Sequence, residues 1–199
     1  MNPLTYMRFK DALKEIGNMG SGKASAALSR LTGKTVMLDA PNIHITSLAR
    51  ITRYISAPKK LIVGIFSPVD DHISGAMITA MPVESAVNLS NLVSKKKNKV
   101  LKTKDKETLL KIGQLLIKSY LQEMAHFLKL KVRHSRPKLI SAFGSSIPGL
   151  MASNIKNKEV ILLKIRFNIP TTEIKGDFIL LLGTDNLDNL VSAIKDKLK

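Results

Sequence analysis

Three polar residues near the start of the chain have the types and the spacing to act on a partner molecule from one helix face. Asp11, Glu15 and Asn18 follow one another at intervals of four and three residues, so in a helix they lie in a single stripe. An acid can pair with a cation, and an amide can hold a water molecule without titrating or adding negative charge. Because a solvated helix face also carries such stripes, residue type alone leaves both interpretations open.

The segment GNMGSGKAS, residues 17–25, contains most of a pattern that binds nucleotide phosphates. Gly17, Gly22 and Lys23 fit that pattern, but Ala24 stands where a Mg²⁺-binding Ser or Thr is required. A phosphate loop must also leave a strand and begin a helix, so that free amides face the anion. The preceding residues have helical periodicity instead, so we predict one continuous helix and no nucleotide site.

The glycines of this segment need another explanation, because a glycine inside a helix costs up to about 1 kcal/mol relative to alanine. Gly17, Gly20 and Gly22 let another backbone approach closely, or they keep the surroundings of Asn18 clear for a partner protein. The two explanations are compatible with each other.

Apolar periodicity and β-branched runs bounded by Gly, Pro and Asp predict the secondary structure. Apolar residues at helical intervals predict helices over residues 8–31 and about 105–128. The predicted strands cover residues 34–40, 60–68, 73–81, 129–134, 158–168 and 174–183. This mixture predicts an α+β fold.

The chain also repeats itself. The pair Ile16-Gly17 recurs as Ile112-Gly113, an offset of 96 residues, and similar residues flank both pairs. We therefore predict a single domain over the whole chain, built of a first half (1–97) and a related second half (104–199). Each half is predicted to contain a helix, a strand, an irregular crossing segment, two strands and a final helix, in that order.

The polar stripe is part of a longer pattern, [DS]-x-x-x-E-x-x-N-x(22)-P, which is carried by Asp11, Glu15, Asn18 and Pro41. With this pattern and the duplicated layout, the chain resembles the CheC, CheX and FliY family of chemotaxis phosphatases, and its length and two halves are most similar to the CheC type. The resemblance implies a CheC-like fold with pseudo-twofold symmetry, in which a six-stranded, mostly antiparallel sheet is flanked by long helices.

The same resemblance implies hydrolysis of the phosphorylated aspartate of a CheY-type response regulator. Asn18 would orient the attacking water, Glu15 would pair with the lysine of the receiver, and Asp11 would add to the binding surface. The phosphorylated receiver would supply the Mg²⁺, so no metal or cofactor of the chain's own is implied. An acyl phosphate is already reactive, which leaves positioning as the main contribution of such a phosphatase.

In the second half the pattern is degenerate. The residues that correspond to the stripe are Glu107, Lys111 and Gln114, although Pro137 is kept. Lys111 would face the receiver's lysine with like charge, which disfavours docking. We therefore predict one working site, in the first half.

Composition restricts the classes of partner. The chain has 32 Lys and Arg against 15 Asp and Glu, a formal charge of +17, and no Cys. The lack of Cys excludes disulfides, thiolate zinc sites and a Cys nucleophile. The charge favours an acidic partner and would speed encounter with a receiver, but the basic residues are not interleaved with aromatic ones as single-strand binding requires. We expect no nucleic-acid partner, no membrane insertion and a cytoplasmic location.

A second class of function stays open. CheC-like domains also resemble parts of the flagellar switch, and CheC is associated with the receptor deamidase CheD. A decayed second motif suits a non-catalytic regulatory or scaffold protein that binds CheD or the switch, whereas Glu15 and Asn18 favour the phosphatase.

Overall fold

The computed structural model describes residues 3–56, 58–152, 155, 158–184 and 190–194. Its α-helices are α1 (Pro3–Thr32), α2 (Val83–Ser94), α3 (Thr103–Leu128) and the short α4 (Ile147–Ala152). Two 3-10 helices span Leu48–Tyr54 and Gly144–Ser146. Residues 190–194 are also helical, and the rest of the helix expected after the last strand lies outside the described residues.

Both long helices agree with the apolar periodicity. α1 runs unbroken through residues 17–25, so its amides bond along the helix and form no phosphate cradle. It ends at Gly33, which has φ +64° and donates its N–H to the Ser29 carbonyl at 2.9 Å. The prediction of a continuous helix instead of a nucleotide loop is confirmed.

The strands form one sheet in which every pairing is antiparallel. They are β1 (Met37–Leu38), β2 (Asn42–Ser47), β3 (Leu61–Asp71), β4 (Gly75–Pro82), β5 (Val132–His134), β6 (Lys138–Phe143), β7 (Glu159–Ile169) and β8 (Ile174–Gly183). Across the sheet, β1 and β2 both pair with β7, which is followed by β8, β4 and β3, and both β5 and β6 pair with β3. The expected class, with long helices on an antiparallel sheet, is confirmed.

The number of strands differs from the prediction. The described residues form eight strands, not six, because two short strands share each edge position. Pro41 and Pro137 lie between the members of these edge pairs, and proline has no N–H to donate to a ladder. Each edge segment therefore bends at its proline and resumes pairing, so residues expected to cross irregularly are the strands β2 and β6.

The edge strands of each half pair with a strand of the other half. β1 and β2 of the first half pair with β7 of the second, while β5 and β6 of the second half pair with β3 of the first. The long helices follow the same rule, since Gly17 of α1 faces Leu163 of β7 and Gly113 of α3 faces Ile65 of β3. Each half therefore completes its packing only with the other half present.

Apolar residues fill both faces of the sheet. On one face, α1 and α3 pack over the main core, in which Leu13, Ile16, Leu116 and Tyr120 are almost completely buried. On the other face, the 3-10 segment Leu48–Tyr54 and α4 cover a smaller core. The helices are therefore anchored along one side and solvated along the other.

We expect Gly113→Ala to lower the free energy of unfolding by about 1–3 kcal/mol, because the added methyl group would collide with Ile65. Gly22→Ala is the matched control in the other long helix, where the methyl group meets no atom within 4 Å and stability rises by up to about 1 kcal/mol. Urea denaturation measures both values. Equal effects of the two substitutions would contradict the close packing of α3 on β3.

A buried carboxylate holds the lysine-rich connection between α2 and α3. Asp105 accepts hydrogen bonds from the Lys102 backbone N–H (2.9 Å), the Asn98 amide (2.9 Å) and the Ser90 hydroxyl (3.2 Å). The bond from the Lys102 backbone contributes most to lowering the pKa of Asp105, and the side-chain bonds and Lys96 add to it against the opposing effect of burial. The lysine side chains are exposed, but the connection itself is fixed.

Asp105 gives the fold a defined acid sensitivity. Because its pKa in the folded chain lies below the ordinary value of 3.8, its stabilisation is present above that pH and is lost as the pH falls towards the lowered pKa. We expect Asp105→Asn to flatten the acid side of the stability profile measured by urea denaturation. Glu107→Gln is the matched control, because it also replaces a carboxylate by an amide but at an exposed position, and it should leave the shape of the stability profile unchanged. If Asp105→Asn leaves the acid side of the profile unaltered, Asp105 is not the source of the acid sensitivity.

Candidate functional site

The predicted polar stripe lies on the solvated side of α1. Asp11, Glu15 and Asn18 are all exposed, whereas Leu13 and Ile16, which alternate with them along the helix, are each 1% exposed. Because the buried residues fix the rotation of α1 on the sheet, the three polar side chains face outward together. The structure thus brings together the residues that the pattern selected in the first half.

The proline of the pattern contacts the helix next to the asparagine. A side chain on Gly17 would place its Cβ 3.2 Å from both Cβ and Cγ of Pro41, which is buried. The bend between β1 and β2 therefore passes directly over Gly17, and a larger residue there would crowd Pro41. This contact gives a physical reason for the fixed spacing between Asn18 and Pro41.

One hydroxyl group bonds to the helix backbone at the same turn. The buried Ser21 donates its hydroxyl to the Gly17 carbonyl at 2.7 Å and lies 3.2 Å from the Asn18 carbonyl oxygen. Ser21 is 1% exposed, so this turn of α1 is packed on the side away from Asn18. The asparagine therefore projects from a turn that the core supports.

The other glycines of the segment have different surroundings. An added Cβ on Gly20 would lie 3.1 Å from the ring of Tyr120 on α3, so Gly20 permits close packing of the two long helices. Burial raises the pKa of that tyrosine, and its hydroxyl has no hydrogen-bond partner among the described residues. No atom lies within 4 Å of a Cβ on Gly22, so close packing explains Gly17 and Gly20 but not Gly22.

Lys23, the lysine of the apparent phosphate pattern, has a structural neighbour instead. Its ammonium lies 3.8 Å from the Glu123 carboxylate of α3, across the contact between the long helices. This residue helps to join the helices at a site where no backbone amides are free.

Basic residues flank the acidic part of the stripe. The Lys14 ammonium lies 3.4 Å from Asp11, but both side chains are about half exposed or more (48% and 69%), and such pairs contribute little. Arg8 joins Asp11 and Glu15 in lining a shallow surface depression. Arg8 was not predicted from the sequence, although it lies three residues before Asp11 and so extends the stripe by one turn.

The corresponding stripe of the second half is present on α3 but has different chemistry. Glu107, Lys111 and Gln114 are exposed, and Ile112 and Gly113 between them are buried, as in α1. The two helices therefore present equivalent faces to solvent. One face offers an acid and an amide, and the other offers a cation and a longer amide.

Chemically, the stripe of α1 can bind and orient but contains no nucleophile. An exposed carboxylate can pair with a cation, and an amide one helical turn away can donate and accept hydrogen bonds to a single water molecule. Within the described ranges, no three His, Asp or Glu residues come together as a metal site, and no helix has the length and apolarity needed to cross a membrane. The arrangement of the stripe therefore suits binding and orienting groups of another molecule.

Comparisons with known proteins point to the same residues and the same fold. The CheC-like family model matches residues 10–45, which contain Glu15, Asn18 and Pro41. Over 196 residues the chain is 24% identical to the CheY-P phosphatase CheC of Bacillus subtilis (strain 168), and the match covers 92% of each protein.

Two solved structures extend the comparison to the fold. FliY of Thermotoga maritima superimposes with a TM-score of 0.77 at 15% identity, covering 99% of this chain and 98% of FliY. The CheX–CheY–BeF3–Mg²⁺ complex of Borrelia burgdorferi superimposes with a TM-score of 0.53 at 15% identity, covering 89% of this chain and 96% of the matched chain. The predicted resemblance to the CheC, CheX and FliY family is therefore confirmed, in sequence over the segment that carries the stripe and in fold over most of the chain.

Proposed function

We propose that this protein is a phosphatase that hydrolyses the aspartyl phosphate of a CheY-type receiver, with one working site on α1. The observation that carries the proposal is the outward presentation of Glu15 and Asn18 on one face of a rigid helix whose opposite face is buried. Such a helix can insert both groups into the phosphorylation site of another protein without moving.

Asn18 has the chemistry to position the attacking water. Its amide holds the water in line with the bond between phosphorus and the aspartyl oxygen. As the water oxygen bonds to phosphorus, that bond breaks, the aspartate leaves as a carboxylate, and the water proton ends on the released phosphate or in solvent. The Mg²⁺ bound by the receiver would supply stabilisation of the phosphoryl charge, which leaves alignment and exclusion of bulk water to the residues of this chain.

Glu15 has the chemistry to fix the docking. Its carboxylate lies one helical turn before Asn18 and is free to pair with a lysine of the receiver. Asp11 and Arg8 lie on the same face and extend the contact surface. The excess positive charge of the chain, +17, favours long-range approach of an acidic receiver.

The related proteins support this assignment. The B. subtilis relative is named a CheY-P phosphatase, and the B. burgdorferi structure holds CheX together with CheY. The family match falls on the segment with Glu15 and Asn18 and not on the second half, which agrees with a single working site.

We expect Asn18→Ala to reduce the acceleration of CheY-phosphate decay by about 100-fold or more, because misplaced reacting groups cost that much. Gln114→Ala is the matched control: the same truncation at the corresponding position of α3 should leave the rate at the wild-type value. The measurement is the decay of ³²P-labelled CheY-type receiver with Mg²⁺ present. Decay that is equal with wild type, with both variants and in buffer would instead indicate a scaffold that binds CheD or the flagellar switch.

A gain-of-function variant tests whether the second half lacks phosphatase activity because of two altered side chains. In the Asn18→Ala background, Lys111→Glu together with Gln114→Asn recreates the acid and amide on the exposed face of α3, which already has Glu107 and Pro137. We expect this variant to recover measurable acceleration of receiver dephosphorylation. If the variant binds the receiver but does not accelerate dephosphorylation, then the lack of activity in the second half is caused by the surroundings of α3 and not by these two side chains.

A further inference from the structure

A cavity opens on the sheet face opposite α1 and α3. Its volume is about 290 Å³, and its apolar wall is formed by Ile55, Ile62, Ile147 and Ile179. Small-molecule sites occupy about 300–1,000 Å³, so the cavity lies at the lower limit of that range and suits only a small ligand. It lies on the other side of the sheet from the stripe of Glu15 and Asn18, which leaves it without a role in the proposed phosphatase.

A buried carboxylate forms part of the polar wall. The Asp177 side chain is 8% exposed, and its two oxygens lie 3.5 Å from the Lys164 ammonium and 3.7 Å from Nε of Arg166. Lys164 also donates hydrogen bonds to the Ser56 hydroxyl (2.6 Å) and the Tyr54 carbonyl (3.0 Å). The Oδ1 atom of Asp177 has no hydrogen-bond partner among the described residues.

Two further lysines give this end of the cavity an excess of positive charge. Lys60 and Lys175 line it with Arg166 and Asp177, and in the part of the chain that the structure describes neither lysine has an ion-pair partner. Buried polar atoms are almost always hydrogen-bonded. Oδ1 of Asp177 has Nε of Arg166 at 3.7 Å but no hydrogen bond with the described residues. With that carboxylate already ion-paired, the exposed Lys60 and Lys175 leave an excess of positive charge at the cavity, which an anionic ligand can balance.

The pseudo-twofold symmetry provides an internal comparison. Gly75 and Gly176 correspond, because a Cβ on Gly75 would collide with the Leu181 carbonyl and one on Gly176 would lie 2.7 Å from the Ala80 carbonyl. The residues that follow them pair in register with β3 and β7, Ala76 with Pro68 and Asp177 with Arg166. The charged residues Asp177, Arg166 and Lys164 thus correspond to Ala76, Pro68 and Phe66 of the first half.

The fold itself does not require these charges. The first half fills the equivalent positions with apolar residues, and burying an ion pair is generally no more stabilising than apolar packing of similar volume. The charged cluster is specific to one half and lines a cavity there. A ligand-binding role accounts for both facts.

We propose that this cavity binds a small organic acid that has an apolar chain. The isoleucine wall holds the chain, and Lys60 and Lys175 hold the acid group. Because the cavity and the stripe of α1 are on opposite faces, this ligand and a phosphorylated receiver do not compete for space.

Isothermal titration calorimetry of the full chain with octanoate tests the site. We expect saturable binding that is about tenfold weaker after Lys60→Ala with Lys175→Ala, since both lysines contact the acid group. The matched control is Lys59→Ala, an exposed neighbour that does not line the cavity and should bind as wild type does. Ala80→Leu, which fills the cavity, should abolish binding while circular dichroism shows an intact fold.

The neutral probe 1-octanol separates the charge from the chain, because it has a chain of the same length without the acid. We expect it to bind about tenfold more weakly than the acid. The proposal would be overturned by equal binding of the two probes, by equal affinities of the wild type and the double lysine variant, or by the lack of saturable binding of the acid.

Discussion

The packing of α1 against the second-half strand β7 is the constraint on which the candidate site depends. Leu13 and Ile16 lie in the main core, and Gly17 sits under the Pro41 bend and against Leu163. These contacts fix the helix in rotation and position, so the residues between them must face solvent. The acid and the amide are therefore presented by a surface that is rigid before any partner arrives, which removes the entropy cost of ordering a loop.

The exchange of edge strands between the halves strengthens this constraint. Since β1 and β2 pair with β7, and α1 packs on the same strand, the helix and the Pro41 bend share one support. A change on β7 would disturb both sides of the Gly17 contact at once. The same arrangement around β3 supports α3. The solvent-exposed face of α3 is therefore held as firmly as that of α1 and differs from it only in its exposed side chains.

The two halves show how one backbone arrangement takes up different chemistry at equivalent positions. On the helices, the first half has the acid and the amide and the second half has Lys111 and Gln114. On the opposite sheet face the distribution is reversed, because the second half has the buried charges around Asp177 and the first half has apolar residues. Each half therefore has its own chemistry at these equivalent positions, while residues of both form the main core.

The amino-acid sequence by itself determined the long helices, most strands, the exposed stripe and the motif, because these depend on periodicity and spacing within one segment. It did not reveal that β2 and β6 resume pairing after Pro41 and Pro137, since a proline ends the local signal and only a neighbouring strand restores the ladder. Nor could it join Asp177 to Lys164, a pairing that arises from the antiparallel register of β7 and β8. Tertiary structure alone decided which half supports which helix and where charge is buried, because those contacts form between residues that no local pattern connects.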